Sequence, residues 1–343
     1  MKTADFDFEL PDDFIAQQPA VPRDHCRLLI YDTANDIVYH KLFYEIVDFL
    51  DSEDVLVVNR SKVIPARINF EVNGSVKEIF LLKDLGGGKC EALVRPGKFF
   101  KVGAVGQIDS FKWQVESIAE DGTRIISFNQ NIDLVLSKLG KIPLPPYINS
   151  DPDVFAEQYQ TVYARESGSV AAPTAGLHFT KELLEVLKQR GVREQEVVLH
   201  VGRGTFLPVS AENVQDHLMH SESFEFPTDT VEVLNDAKKS GQNIVAVGTT
   251  AVRVLESNYF DGKFHGGNGS TDIFIYPGSY SWKCVDKLIT NFHLPKSSLL
   301  MLVASFLENK GVKDPVKKIL SLYELAKSEG YRFYSFGDAM LIF

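Results

Sequence analysis

The sequence predicts a mixed-sheet α/β main domain with a small all-β barrel domain inserted into it. Three observations lead there. Runs such as Asp54-Val55-Leu56-Val57-Val58-Asn59 are apolar on both faces, as strands are inside a sheet covered by helices. From about Ile64 the period changes: Ala66, Ile68, Phe70 and Val72 alternate with Arg67, Asn69 and Glu71, and Phe111, Trp113 and Val115 with Lys112, Gln114 and Glu116. Glycines punctuate these short strands, as in a small barrel or sandwich. After Tyr147 strands and helices alternate again. The expected division is therefore 1–63 with 147–343 as the α/β domain and 64–146 as the insert, with Pro143-Leu144-Pro145-Pro146 as an extended hinge.

The elements follow in order. Leu28 to Asp32 reads as a strand, Tyr44 to Leu50 has helical spacing, and Asp54 to Asn59 is a buried strand. Beyond the insert, Lys181 to Arg190 is a helix with Thr180 as its N-cap and Gly191 as its stop. Glu196 to Val201, Asn243 to Gly248 and Leu288 to Phe292 are strands, and a helix runs through Arg253 to Ser257. Leu299 to Leu307 is the longest apolar run, well short of the roughly 20 residues a membrane span needs, and reads as a buried helix. Asp314 to Glu329 is expected to be the last helix and Tyr331 to Ser335 the last strand.

At 343 residues, 44% hydrophobic and 24% charged, the composition is that of a soluble globular enzyme. The acidic amino terminus is no signal peptide, and Cys26, Cys90 and Cys284 are too scattered for a disulfide framework or thiolate metal site. They read as small buried hydrophobes in a reducing cytoplasm. A net charge of −10 argues against nucleic acid, but its distribution does not: Arg60 to Tyr147 holds 13 Lys/Arg against 9 Asp/Glu, so this segment is +4 and the remainder −14.

Four clusters sit where loops leave strands or open helices, the usual place for ligands in open α/β sheets. They are Ala172 to Thr180, His200 to Phe206, Val247 to Arg253 and Thr290 to Pro295. Each alone is weak. Gly202 and Gly204 suit a tight turn, and Gly248-Thr249-Thr250 suits a helix cap or an anion site. A single histidine in such a loop is more often structural. Three of them, His178, His200 and His293, make a candidate acid–base set. His217 and His220 would share a helix face beside Glu222, which is the basis of a metal-assisted hydrolase reading. A noncatalytic RNA-binding module is the other alternative. No phosphate loop, dinucleotide fingerprint or serine elbow is present.

Read together and in order, these clusters resemble the S-adenosylmethionine:tRNA ribosyltransferase-isomerase family nearly end to end. Further blocks carry the resemblance: Asp5 to Pro11, Ile15-Ala16-Gln17, Cys26-Arg27-Leu28-Leu29, Val63 to Arg67, Arg95-Pro96-Gly97-Lys98, Pro143 to Ile148, Tyr159 to Tyr163, Thr271 to Gly278 and Tyr331 to Met340. Arg60, Ala251 and Ser279 depart from the family pattern without destroying any block. The resemblance implies transfer and isomerisation of the ribosyl part of S-adenosylmethionine onto 7-aminomethyl-7-deazaguanine at the tRNA wobble position, giving epoxyqueuosine with loss of adenine and methionine. S-adenosylmethionine is then a consumed co-substrate, and no cofactor or metal is expected. On this reading His178, His200 and His293 share the acid–base work, and Asp338 orients or stabilises a cation. Thr249, Thr250 and Arg253 hold the methionine carboxylate, and Phe179 and Phe206 flank the purine. Thr174, Gly176, Gly202, Gly204, Thr205 and Asn291 complete the substrate site. Arg67, Arg95, Lys98 and Lys101, with Phe99 and Phe100, face the tRNA. A cytoplasmic monomer is expected.

Overall fold

Two sheets of opposite character hold most of the strands. The computed structural model describes residues 1–145, 147–148, 152–202 and 209–343, without the side chains of Pro152 and Asp153. In chain order the strands are β1 (Arg27–Asp32), β2 (Ile37–Leu42), β3 (Asp54–Asn59), β4 (Ser61–Val63), β5 (Arg67–Val72), β6 (Ser75–Gly86), β7 (Lys89–Arg95), β8 (Val105–Ile108), β9 (Phe111–Ile118), β10 (Arg124–Phe128), β11 (Gly140–Lys141) and β12 (Glu166–Ser169). Then come β13 (Arg193–Leu199), β14 (Glu222–Phe226), β15 (Asn243–Val247), β16 (Tyr259–Phe260), β17 (Lys263–Phe264), β18 (Gly267–Thr271), β19 (Lys287–Asn291) and β20 (Ala339–Ile342). The helices are α1 (Ile132–Leu139), α2 (Pro152–Phe155), α3 (Lys181–Gln189), α4 (Thr228–Lys239), α5 (Gly248–Ser257), α6 (Ser298–Asn309) and α7 (Pro315–Ser328).

Among the described residues the larger sheet has nine strands in the order β18-β14-β13-β3-β15-β19-β20-β1-β2. Its centre is parallel: β13 with β3, β3 with β15, and β15 with β19. β20 then runs antiparallel to β19 and parallel to β1. All six residues of β3 are buried, as a run apolar on both faces requires. Side chains on the two faces of the sheet feed separate cores: Val55, Val57 and Ala246 pack with α5 and α6, Leu56, Val58 and Val245 with α3. Every residue from Leu300 to Leu307 of α6 is buried, and no described helix is long and apolar enough to cross a membrane.

The second sheet is antiparallel, in the order β11-β5-β6-β7-β10-β9-β8. It curls into a half-barrel around Ile68, Ile79, Phe100, Trp113, Val115 and Ile126, and α1 closes the core with Val135 and Leu136. Asn131 caps α1 by accepting from the backbone N–H of Asp133.

Three expected elements differ. Tyr44 to Leu50 is a 3₁₀ helix over Phe43–Asp48, with only Phe43 and Ile46 buried along it. β13 begins at Arg193, because polar Glu194 and Gln195 still pair with Leu56 and Val57 of β3. Tyr331 to Ser335 is not the last strand: Tyr334 adopts φ +71°, and the Gly337 N–H turns back to the Tyr334 carbonyl. The alternating aromatics there are anchors of a loop, with Tyr331 and Phe333 fully buried. The last strand is β20 instead.

Candidate active site

The strand directions bring the predicted clusters to one edge. The carboxyl ends of β13, β3, β15 and β19 lie there at Leu199, Asn59, Val247 and Asn291. Because β20 and β1 run the other way, their amino ends join them, with Ala339 opposite both Asn291 and Leu28. Residues 26–27, 248–250, 291–293 and 338, far apart in the chain, thereby become neighbours along one rim. Asn59 ties two of the ends together: its amide N–H donates to the Leu199 carbonyl at 3.0 Å while its oxygen accepts from the Leu199 and Ser61 N–H groups.

His178 ends a 3₁₀ turn over Thr174–His178 and is 4% exposed. Asn291 donates its amide N–H to the Tyr334 carbonyl at 2.9 Å, so its oxygen faces the ring, and His178 Nε2 donates to that oxygen at 3.2 Å. Nδ1 lies 3.1 Å from Cys26 Sγ. Burial lowers the His178 pKa to about 4, so the ring is neutral at pH 7. Both Cys26 and His178 line a cleft of about 200 Å³ with Arg23, Gln158, Ser335 and Phe336.

His293 sits on the other side of the Tyr334–Ser335 segment, in a smaller cavity of about 50 Å³ shared with Thr174, Asn291, Tyr147 and Tyr334. Its Nε2 meets Thr290 Oγ1 at 2.8 Å, and its backbone N–H donates to the Tyr323 hydroxyl. Burial lowers its pKa to about 3. Tyr147 and Tyr334 stack with centroids 4.5 Å apart, and the Tyr147 hydroxyl meets Ser335 Oγ at 2.7 Å.

Asp338 is 2% exposed and its carboxylate is occupied by the frame: it accepts from the Arg27 and Arg332 backbone N–H groups at 2.8 and 2.7 Å, with the Arg332 guanidinium 3.6 Å away. Burial pushes its pKa up, against those hydrogen bonds. Thr249 and Thr250 open α5, whose turn from β15 needs the φ of +84° that Gly248 adopts. Thr250 Oγ1 is buried without a hydrogen-bond partner among the described residues. Gly176 leaves no room for a side chain, since an added Cβ would lie 2.0 Å from the Tyr163 hydroxyl.

Several expected site residues are placed differently. Phe179 is fully buried, edge-on to Phe43 at 4.9 Å, and is core rather than a purine-stacking face. Arg253 is buried against Glu222, and its second terminal nitrogen donates to the Thr271 carbonyl at 3.1 Å, so no bidentate grip is left for a carboxylate. Glu222 also accepts the Gly202 N–H at 2.6 Å. His217 to His220 form no helix: His217 is already extended after a short turn over Val214–Asp216, so the helix face assumed for a metal site does not form. His200 is half-buried with Nδ1 unpartnered among the described residues, pressed so closely on Gly168 that a Cβ there would come within 2.6 Å of the ring. Among the described residues no hydrogen bond or ring contact joins it to His178 or His293. Gly204, Thr205 and Phe206 lie outside the described residues.

On the half-barrel, Arg95, Lys98 and Lys101 are exposed. Arg67 is paired to Glu78 at 3.3 Å, and Phe100 is wholly buried in the core, so neither projects freely. Phe99 is half-buried, edge-on to Phe100. Arg60, at the end of β3, pairs with Glu196 and Glu225. Cys26 is the functional neighbour that sequence reasoning passed over as a plain buried thiol. Its sequence signals were its place in the Cys26-Arg27-Leu28-Leu29 block and its position immediately before a strand entering the same edge as the histidines.

Comparison with known proteins identifies the family. A family model described as queuosine biosynthesis protein matches residues 3–342. The S-adenosylmethionine:tRNA ribosyltransferase-isomerase of Desulfitobacterium hafniense is 48% identical over 349 residues, covering 100% of both chains. That of Thermotoga maritima is 48% identical over 344 residues, again covering 100% of both. The crystal structure of S-adenosylmethionine tRNA ribosyltransferase from Thermotoga maritima aligns with a TM-score of 0.57 and 38% identity over 99% of this chain and 100% of that one. With agreement along its whole length, the chain belongs to the queuosine biosynthesis protein family.

Proposed function

We propose that this chain is an S-adenosylmethionine:tRNA ribosyltransferase-isomerase acting at the strand edge described above. It moves the ribosyl carbons of S-adenosylmethionine to the aminomethyl group of 7-aminomethyl-7-deazaguanine at the tRNA wobble position. These carbons rearrange to an epoxycyclopentanediol, giving epoxyqueuosine, while adenine and methionine leave. The observation that carries the assignment to this edge is the convergence of two buried neutral imidazoles with a helix amino terminus in a chain of this family.

The chemistry asks for such groups. A sulfonium acidifies the neighbouring C5′ hydrogens, adenine leaves more easily when its ring is hydrogen-bonded or protonated, and the attacking amine must be neutral. His293, held at Nε2 by Thr290, is assigned as the acceptor of the C5′ proton. Both ring nitrogens of His178 are engaged inside the protein, so it borders the cleft as a fixed neutral ring. The first turn of α5, with Thr249 and Thr250, offers backbone N–H groups to the methionine carboxylate. Thr174 and Gly202 border the same edge, His200 serves the far end of it, and Asp338 acts through the backbone it holds.

S-adenosylmethionine is consumed in this reaction rather than retained as a cofactor, and no metal is required. We take residues 64–146 to be an inserted domain whose exposed Arg95, Lys98 and Lys101 contact tRNA phosphates. The working unit is taken as a cytoplasmic monomer. The deciding experiment is adenine release from S-adenosylmethionine with and without tRNA carrying 7-aminomethyl-7-deazaguanine. Release that depends on the modified tRNA is expected; folded protein that releases none with verified substrate would overturn the reading.

A further inference from the structure

A continuous chain of hydrogen bonds crosses the site. It runs from the Tyr334 carbonyl through the Asn291 amide and the His178 ring to the Cys26 thiol. Its directions are determined. A carbonyl only accepts, so Asn291 turns its NH₂ to Tyr334 and its oxygen to His178. That oxygen only accepts, so His178 carries its proton on Nε2. Nδ1 is then a lone pair, and the sole hydrogen available to it at 3.1 Å is that of the Cys26 S–H.

The ends of the chain are anchored. Tyr334 presents its carbonyl from a left-handed backbone conformation, φ +71°, that a bulky residue keeps only when its surroundings demand it. Cys26 is 2% exposed and immediately precedes Arg27, whose N–H is held by Asp338. Burial, reinforced by the charges of Asp338 and Asp24, pushes the thiol well above its usual range, so it stays a donor. Arg23 and Arg332 face the same pair and, like burial, disfavour an imidazolium.

We infer that Cys26 is a positioning residue: its thiol donates to His178 Nδ1 and, together with Asn291, locks the ring as the neutral Nε2–H tautomer beside the cleft. The inference rests on the proposed reaction for its functional consequence, but the tautomer itself exists without substrate. A protonated thiol also does not compete as a nucleophile for the sulfonium substrate it would lie near. Cysteine thus does at this position what serine would do with a shorter bond, at lower risk of attracting water to the ring.

The test uses the whole protein with ¹⁵N-labelled histidine, the His178 signals being assigned by their loss in His178→Gln. Wild type is expected to show His178 neutral and protonated at Nε2 at pH 7. Cys26→Ala should shift the Nδ1 resonance toward that of a ring nitrogen without a hydrogen-bond donor and lower the turnover of adenine release about tenfold, with KM for S-adenosylmethionine changing less than about twofold. Cys26→Ser should restore the Nδ1 hydrogen bond and most of the turnover. A wild-type proton on Nδ1 or an imidazolium overturns the inference, as does an unchanged Nδ1 resonance in Cys26→Ala. Equal loss of turnover in Ala and Ser variants whose thermal unfolding matches wild type overturns it too. Absence of adenine release from wild type would instead sink the proposed reaction, while the tautomer measurement would still decide the lock.

Discussion

Replacing Glu222 by alanine separates two views of Arg253. In the structure both side chains of this ion pair are almost inaccessible, 7% exposed for Arg253 and 6% for Glu222. Deleting the carboxylate leaves a buried guanidinium with only the Thr271 carbonyl, and deprives the Gly202 N–H of its acceptor at 2.6 Å. Breaking a buried pair from one side costs roughly 3–5 kcal/mol, and an orphaned N–H adds about 1 kcal/mol. At about 2 °C per kcal/mol for a chain of this size, the melting temperature should fall by roughly 8–12 °C. Calorimetry on Glu222→Ala, Arg253→Met and the double variant Glu222→Leu/Arg253→Met measures it. The double variant should be more stable than either single one, because it buries no uncompensated charge. If Glu222→Ala melts within about 2 °C of wild type, the ion pair is not structural. If Arg253→Met also raises KM for S-adenosylmethionine more than tenfold at unchanged stability, Arg253 holds the substrate and the structural account is refuted.

Two further outcomes are expected. His178 and His293 have folded-state pKa values of about 4 and about 3, below the 6.5 of an unfolded chain. The unfolded state therefore binds more protons, and stability is complete above pH 6.5 and lost as pH falls toward 4. By pH 5 each histidine should cost about 2 kcal/mol, read as a lower urea midpoint than at pH 7; equal midpoints would contradict the burial assigned to both rings. On the half-barrel, Lys98→Ala with Lys101→Ala should weaken tRNA binding and lower the slope of log affinity against log salt by about 2, with KM for S-adenosylmethionine unchanged. An unaltered slope would place the tRNA elsewhere.

Much of the fold was legible because periodicity reports burial. The two-faced apolar run Asp54 to Asn59 and the alternation from Phe111 to Val115 became β3 and β9. The same signal misled at Tyr331 to Ser335, where alternating aromatics anchor a loop, since burial alone does not distinguish a strand from a tethered turn. Short strands were hard to see: β14, Glu222–Phe226, puts only Phe224 and Phe226 toward the core, and its partner β18 is glycine-rich with no apolar face. At the site, the loops that converge were recognisable from their place after strands. Which side chains inside them are free was not. Phe179 and Arg253 look like ligand contacts in one dimension and prove to be a core residue and an internal ion pair. Cys26 shows the reverse, because its partner lies 152 residues away.

The position of β20 has a consequence for how the molecule comes to possess its site. Among the described residues β1 and β2 are hydrogen-bonded into the sheet only through β20, whose Ala339 meets both Leu28 and Asn291. Contacts spanning some three hundred residues are entropically remote and tend to form late. Until β20 docks, Cys26 and Asp338 have no fixed relation to Asn291, and His178 lacks its frame. Assembly of the reactive edge thus coincides with completion of the sheet. On the proposed reading, a molecule in which β20 has not docked lacks the complete edge, so adenine release reports that the two ends of the described chain have met.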